Sequence, residues 1–426
     1  LKKVSVKIKG LNEMNRNIFS SLDPYQLLFP LGIAHAVIGA ATWIFYLAQK
    51  VPYPAKFHAH HMFSGFLLSF AAGFLLTAIP RFTGARRCSP RELTIAVAIS
   101  ILSFVFDHSA IALILLLFVS GFILRRFSEK TYNPPPHFIF LPAGLLLGIV
   151  GSAILTLIEF NWLDSSLALT GKLFLYYGTM LAFLLGIGAK LISALLGWAP
   201  VPTHQIKPLN TLKLNTVERP KLLTPPVFQL ILFLVSFVLE AFMLPEMGRA
   251  LRAVCASWIA VQYWHLHRHP KSPGKLPFWI WISAWTLIIG LWVHALFPSF
   301  GIHAAHLIFM SGFGLITLLV ASRVSLAHGG YALELESSSR IYAATSILII
   351  LAALTRFTAI WTDSYFQHLA YAAAVWVVAL VAWSIFFIPK ILFHSSNIFS
   401  FKEAWSKRRA CVCGKKGHGT QKQMHC

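Results

Sequence analysis

Five histidines of this chain fall in two short clusters. Phe57-His58-Ala59-His60-His61-Met62 carries three imidazoles within four residues, and Ile302-His303-Ala304-Ala305-His306 carries two more at a spacing of three. Imidazole is a ligand for haem iron and for copper, and in its neutral form it enters an apolar helix without bringing a charge. Residues three apart on a helix share a face. His58 with His61, and His303 with His306, are therefore expected to point in pairs at a common centre. His60 is turned about 200° from His58 if the helix is regular. Either the chain is irregular just after Pro54, or His58 and His60 serve different centres, and the second account is preferred. His108 and His294 belong to the same layer once the topology is drawn, and His35 lies nearer the middle of its segment. A single interfacial histidine is ordinarily a headgroup-level polar residue. The two pairs weigh more, because ionisable groups inside spans mark function by default.

The elements that must hold these histidines are membrane helices. The chain has 426 residues, 57% of them hydrophobic and 12% charged, too little polar surface to cover a globule in water. A hydrocarbon core about 30 Å thick needs roughly 20 apolar residues per helix. Such stretches are read at 26–48, 57–80, 93–106, 109–124, 138–158, 167–196, 227–247, 248–264, 277–297, 300–327, 341–361 and 365–389. The predicted fold is an all-α polytopic transmembrane bundle of about twelve spans. It occupies 26–394, between an N-terminal segment at 1–25 and a basic tail containing Cys and His at 395–426.

Charge sets both the orientation and the count. With twelve spans, 29 of the 36 Lys and Arg fall on the side of the N-terminus, and four, Lys50, Lys56, Arg249 and Arg252, fall on the other. Merging the third and fourth runs across Asp107-His108 would scatter them between the two sides, against the positive-inside rule. Both ends are thus expected in the cytoplasm and the histidine layer at the periplasmic face of an inner membrane. The net charge of +22 serves topology rather than nucleic-acid binding, since the basic residues sit in short segments between apolar runs. The stretch from Leu1 to Ser20 lacks an apolar run and a cleavage site, so no removable signal peptide is expected there. Lys172, Lys190 and Arg356 are read as snorkelling residues near span ends. Glu240 is read as better buried, with no partner named by the sequence. His265, His267 and His269 are read as part of a solvated basic loop, and His328 lies on the same side.

Four of the five cysteines fall on the cytoplasmic side, a reducing compartment, so a disulfide framework is not expected. In the tail, Cys411, Cys413 and Cys426 with His418 and His425 have donor types that bind zinc or copper(I). Their spacing is not that of a known finger, and a basic tail lying on anionic headgroups is the competing reading.

The residues around the second and tenth spans resemble the NnrS family, membrane proteins of the bacterial nitric oxide response that contain haem and copper. Phe57-His58-Ala59-His60-His61-Met62-Phe63-Ser64-Gly65, continuing through Ala72-Gly73-Phe74 to Thr83-Gly84, is similar to that family's Trp-His-Ala-His-Glu-Met signature and the helix after it. His303, with the glycine-bearing helix to Arg323 and Leu326-Ala327-His328-Gly329, is similar to its late signature ending in Gly-His-Thr-Gly. The chain departs at Phe57 for Trp, His61 for Glu and Gly330 for Thr. The resemblance implies His58, His60, His303, Arg323 and His328 as motif positions, non-covalent haem and copper as cofactors, and nitric oxide as ligand. The expected haem-side residues are His58, His303, His306 and His35, and the expected copper-side residues are His60, His61, His108 and His294. The resemblance leaves open whether the chain is an enzyme and which partner would donate electrons. A twelve-span transporter, or an accessory subunit of a respiratory complex without haem, is the alternative; no clearly interrupted helix pair occupies matching positions of two six-span halves. The likeness of His-Ala-His-His to His-Ala-Ala-His does not establish a repeat.

Overall fold

The computed structural model describes residues 22–199 and 225–393; the tail cysteines lie outside these residues. Among the described residues there is no strand, and the chain forms twelve rods. They are α1 Tyr25–Leu47, α2 Ala55–Thr83, α3 Pro90–Val105, α4 Ser109–Ser128, α5 Pro136–Glu159, α6 Ser165–Leu195, α7 Pro225–Phe242, α8 Pro245–Gln262, α9 Lys275–Leu296, α10 Pro298–His328, α11 Ile341–Trp361 and α12 Tyr365–Leu392. Ten are long and apolar enough to cross a membrane. The other two are α3, of 16 residues, and α8, which carries Glu246, Arg249 and Arg252 in its first half. The chain is a multi-pass membrane protein.

Helix boundaries follow local chemistry. Ser89 and Glu92 form a reciprocal capping box at the start of α3 with Pro90 behind the cap, an arrangement that satisfies two orphan N–H groups. The break at Asp107-His108 is real: α3 ends at Val105 and the His108 side chain caps α4 by accepting from Ala110 N–H at 3.2 Å. The expected seventh span, 227–247, is shortened to Phe242. Pro245 lacks an N–H and pre-sets the first helical residue, so α8 starts there instead of at 248.

The helices pack in a closed succession that passes through three inner helices. Going round, α1 packs on α2, α2 on α4, α4 on α5, α5 on α6, α7 on α8, α8 on α9, α9 on α10 and α11 on α12; α12 then returns to α1. The side chain of Gln26 donates to the Ile391 carbonyl at 2.9 Å across this closure. Of the spanning stretches, α2, α6 and α10 have 78, 78 and 72% of their apolar window buried, against 28–61% for the rest, so these three form the interior. They share a second property. Each is interrupted by a π-helical segment, at His61–Leu67, Leu173–Gly178 and Leu307–Gly314. Inner position and π segment recur at every fourth helix. A cavity of about 100 Å³ lies between the three, lined by Phe70, Phe74, Phe183 and Phe313 among others, and no histidine reaches it.

Candidate metal centre

The π segments decide where the histidines point. In α2 the regular turns end at His60 and the wider turns begin at His61, so His58 and His61 do not share a centre despite their spacing. His61 turns toward α1, where its Nδ1 lies 2.8 Å from Nδ1 of His35. Gly65 permits this approach: a Cβ there would lie 2.3 Å from the His35 ring.

Hydrogen-bond partners assign the protons. The nitrogen that faces a carbonyl must donate, and the other is then bare in neutral imidazole. His35 Nε2 donates to the Ser100 carbonyl at 3.1 Å. Its Nδ1 is therefore the acceptor for His61 Nδ1–H, which leaves His61 Nε2 bare. His60 Nε2 donates to the Ser103 carbonyl at 2.9 Å, so its bare Nδ1 faces Asp107 Oδ1 at 3.7 Å. That carboxylate oxygen is buried without a hydrogen-bond partner. A lone pair facing a carboxylate is an unfavourable contact unless a proton or a cation lies between them.

A second group forms where α2 meets α10. His58 Nδ1 donates to the Gly39 carbonyl at 2.9 Å, and His306 Nδ1 donates to the Ile302 carbonyl at 2.7 Å. Both Nε2 atoms are bare. The two rings face each other with centroids 6.4 Å apart and planes only 16° from parallel. Tying Nδ1–H to a carbonyl is how a ligating imidazole is ordinarily oriented from behind.

His303 is three residues from His306 but works differently. Arg356 donates to His303 Nδ1 at 3.0 Å and to the Tyr365 hydroxyl at 3.1 Å. An arginine always donates, so neutral His303 carries its proton on Nε2 and offers a donor there. Arg356 was expected to snorkel. It is instead buried, at 6% exposure, because Tyr365 and His303 satisfy its guanidinium inside the bundle. Among the described residues no carboxylate pairs with it, so its charge stands uncompensated beside the His58–His306 pair.

The remaining expected residues lie apart from these groups. His108 Nδ1 is 3.0 Å from Glu159, whose other oxygen pairs with Lys56 at 3.2 Å. His294 stacks on Tyr177 at 5.5 Å. Nearby, Glu240 takes Arg249 at 3.0 Å and also Arg252, the partners that the sequence did not name. Arg323 and His328 sit at the far ends of the inner helices. Arg323 pairs with Glu336 at 2.6 Å, and His328 Nε2 accepts from Arg81 at 2.8 Å beside Asp23. Burial alone would raise the Asp23 carboxyl, but His328 and Arg81 hold it below the usual range.

The donor set was tested against the two groups that the resemblance implies. Among the described residues no three His, Cys, Asp or Glu side chains converge as an all-protein metal site needs. A haem does not need three, because the porphyrin supplies the equatorial nitrogens and the protein only axial ones. Two neighbouring imidazoles with bare Nε2 atoms are donors of the type that requirement calls for. The uncompensated Arg356 suits the carboxylates at a porphyrin's edge. For copper the fit is partial: His60 Nδ1, His61 Nε2 and the Asp107 carboxylate are donors of the right type, with His60 Nδ1 3.7 Å from Asp107 Oδ1, but the three do not converge on one point.

Sequence reasoning missed Arg356, Tyr365 and Asp107. The one available signal was the rarity of arginine within a span. Comparison with curated proteins finds no match. The family model described as NnrS protein matches residues 21–394, nearly the whole described bundle, and the chain belongs to the NnrS family.

Proposed function

We propose that the protein is a haem- and copper-binding member of its family that acts in the response to nitric oxide. The observation that carries this reading is the His58–His306 pair, two imidazoles from two inner helices, each tied through Nδ1 to a carbonyl and bare at Nε2. His58 and His306 would be the residues that hold haem, through their bare Nε2 atoms, with Arg356 beside them as a partner for its carboxylates and His303 Nε2–H as a further donor. When bound, haem would supply a redox-active iron, which nitric oxide could reach as a ligand only in exchange for one of the two histidines. Copper is assigned to His60, His61 and Asp107, with His35 orienting His61 through their Nδ1–Nδ1 bond. The membrane is proposed to be the bacterial inner membrane, with both ends in the cytoplasm and the histidines at the periplasmic end. This follows from the bias of Lys and Arg toward one side.

The transporter reading predicts interruptions at matching positions of two six-helix halves. The π segments recur instead at every fourth helix, which supports a bundle built around a fixed centre. The test is the optical spectrum and metal content of purified protein. A Soret band with iron near one per chain, and copper alongside it, is the expected result. Well-folded protein containing neither iron nor copper after expression with both metals supplied would overturn the proposal.

A further inference from the structure

Away from the histidines, the first half of α11 carries buried polar atoms that find little or no hydrogen bonding among the described residues. Tyr342 OH, Thr345 Oγ1 and Ser346 Oγ are buried without a hydrogen-bond partner, and so is Glu336 Oε1 in the loop that leads into this helix. Tyr342, Thr345 and Ser346 are each 4% exposed or less. Hydroxyls inside helices normally bond the carbonyl four residues back, and their neighbours do so: Ser322 to Leu318, Ser325 to Ala321, Thr355 to Leu351 and Thr358 to Leu354. Thr345 and Ser346 do not.

The four atoms are arranged in sequence along one route. Glu336 is half-buried beside exposed Ser337 and Ser338, so its carboxylate stands at the border with the loop face. One oxygen takes Arg323 at 2.6 Å, and the other faces inward. Tyr342 has Ser322 and Glu336 as its polar neighbours. Ser322 donates to Leu318 and accepts from Trp383 at 2.9 Å, which leaves one lone pair for the Tyr342 O–H. Thr345 and Ser346 follow three and four residues after Tyr342, which places them on its face one turn, about 5–6 Å, deeper. Trp376 on α12 packs the far edge of its six-membered ring against Gly314 at the end of the π segment of α10, and its Nε1 is also buried with no partner among the described residues. Beyond Ser346 the buried face of α11 is Ile349, Ala352 and Ala353, so the polar route stops short of Arg356.

Buried polar atoms are satisfied by protein or by ordered water, and a buried water makes two to four such bonds. We propose that Glu336, Tyr342, Thr345 and Ser346 line a water-holding proton inlet, which opens at the loop between α10 and α11 and ends in the interior beside α10. Burial also pushes the Glu336 carboxyl up, with Arg323 opposing the shift, which suits a group that takes up and releases a proton at the mouth. The inlet does not rest on the presence of haem or copper.

The test is hydroxyl-radical footprinting of the full chain in lipid nanodiscs, in which radiolysis of bound water marks the side chains that touch it. Tyr342, although buried, should be modified several-fold faster, after correction for intrinsic reactivity, than Phe140 and Phe233, which are equally buried among apolar groups. The double variant Thr345→Val/Ser346→Ala should lower the Tyr342 rate. A wild-type Tyr342 rate no higher than that of Phe233 overturns the inlet. A raised rate that the folded double variant leaves unchanged also overturns it, since water would then reach Tyr342 without those hydroxyls. Should the double variant fail to fold, Tyr342→Phe and the wild-type infrared spectrum decide. A protonated carboxyl band that shifts rapidly in D₂O and is missing from Glu336→Gln supports the inlet, and its absence at every pH overturns it.

Discussion

Helices α2 and α10 are built alike and put to different uses. Each begins with a histidine cluster, passes at once into a π segment, lies inside the bundle, and ends near an arginine–carboxylate pair at the far end. In α2 the widened turns press His61 and Gly65 against His35 of α1, so two of its three histidines are held within a polar group shared by α1 and α3. In α10 one histidine is held by Arg356 and the other looks across to α2. The same backbone irregularity therefore directs histidines to two distinct sets of partners, and tertiary contacts, not spacing, determine which.

The sharpest test of that comparison removes one ligand from each helix. His58→Ala and His306→Ala should each abolish the Soret band and iron retention. His61→Ala and His303→Ala should keep iron, with His61→Ala losing copper. Loss of iron in all four variants would merge the two centres into one. The axial assignment would be lost if iron survived in His306→Ala.

A smaller effect is expected from the charge beside the ligands. Arg356→Gln should retain haem with affinity lowered about 10–100-fold, the usual cost of losing an orienting partner, and should shift the reduction potential upward or downward without unfolding. An unchanged potential and unchanged affinity would remove Arg356 from the site.

Packing around the two π segments offers a third contrast. Gly65→Ala would place a methyl group 2.3 Å from the His35 ring, whereas Gly312→Ala would meet the flexible Leu287 side chain at 3.0 Å. Overpacking of a tight site costs about 1–3 kcal/mol. Thermal unfolding in detergent should therefore show a clear loss for Gly65→Ala, with copper binding impaired, and a smaller loss for Gly312→Ala. Equal losses would mean that the approach of α1 to α2 is not special.

The far ends should differ in the sign of their pH dependence. Asp23 beside Arg81 is held below the usual carboxylate range. Its stabilisation is present above the unfolded value and is lost as pH falls through the folded one. The gap in Tm between wild type and Asp23→Asn should therefore close in acid. Glu336 beside Arg323 is raised by burial. Its contribution is fullest below the unfolded value and fades as pH rises, so Glu336→Gln should cost least, or should stabilise, at neutral pH. Parallel pH curves for the two variants would erase this contrast.

Much of the fold was legible because its signals are local. Apolar length located the rods, and the twelve-rod count rested on the charged turn at Asp107-His108. The family motif found both histidine clusters. Contacts between residues distant in the chain were not legible. Nothing near Arg356 announces His303, 53 residues away, and nothing near His35 announces His61. Helical periodicity also failed where it was most needed, because a π turn rotates every residue after it and His58–His61 was read with a 3.6-residue period. Glu240 could have been paired by its short distance to Arg249 and Arg252 across the Pro245 break, had the end of α7 been placed at Phe242.

The closure of α12 onto α1 has a consequence for biosynthesis. The first helix leaves the ribosome some 300 residues before its last neighbour, and at about 5–20 residues per second that interval is roughly 15–60 s. During that time the face of α1 that will receive α12 is exposed to lipid or to insertion factors, with Gln26 awaiting the Ile391 carbonyl. Chains cut short before Tyr365 would keep every histidine of both centres and yet lack the helix that seals them. Such products should be cleared by membrane proteases, which would make completion of the chain the checkpoint for both histidine groups.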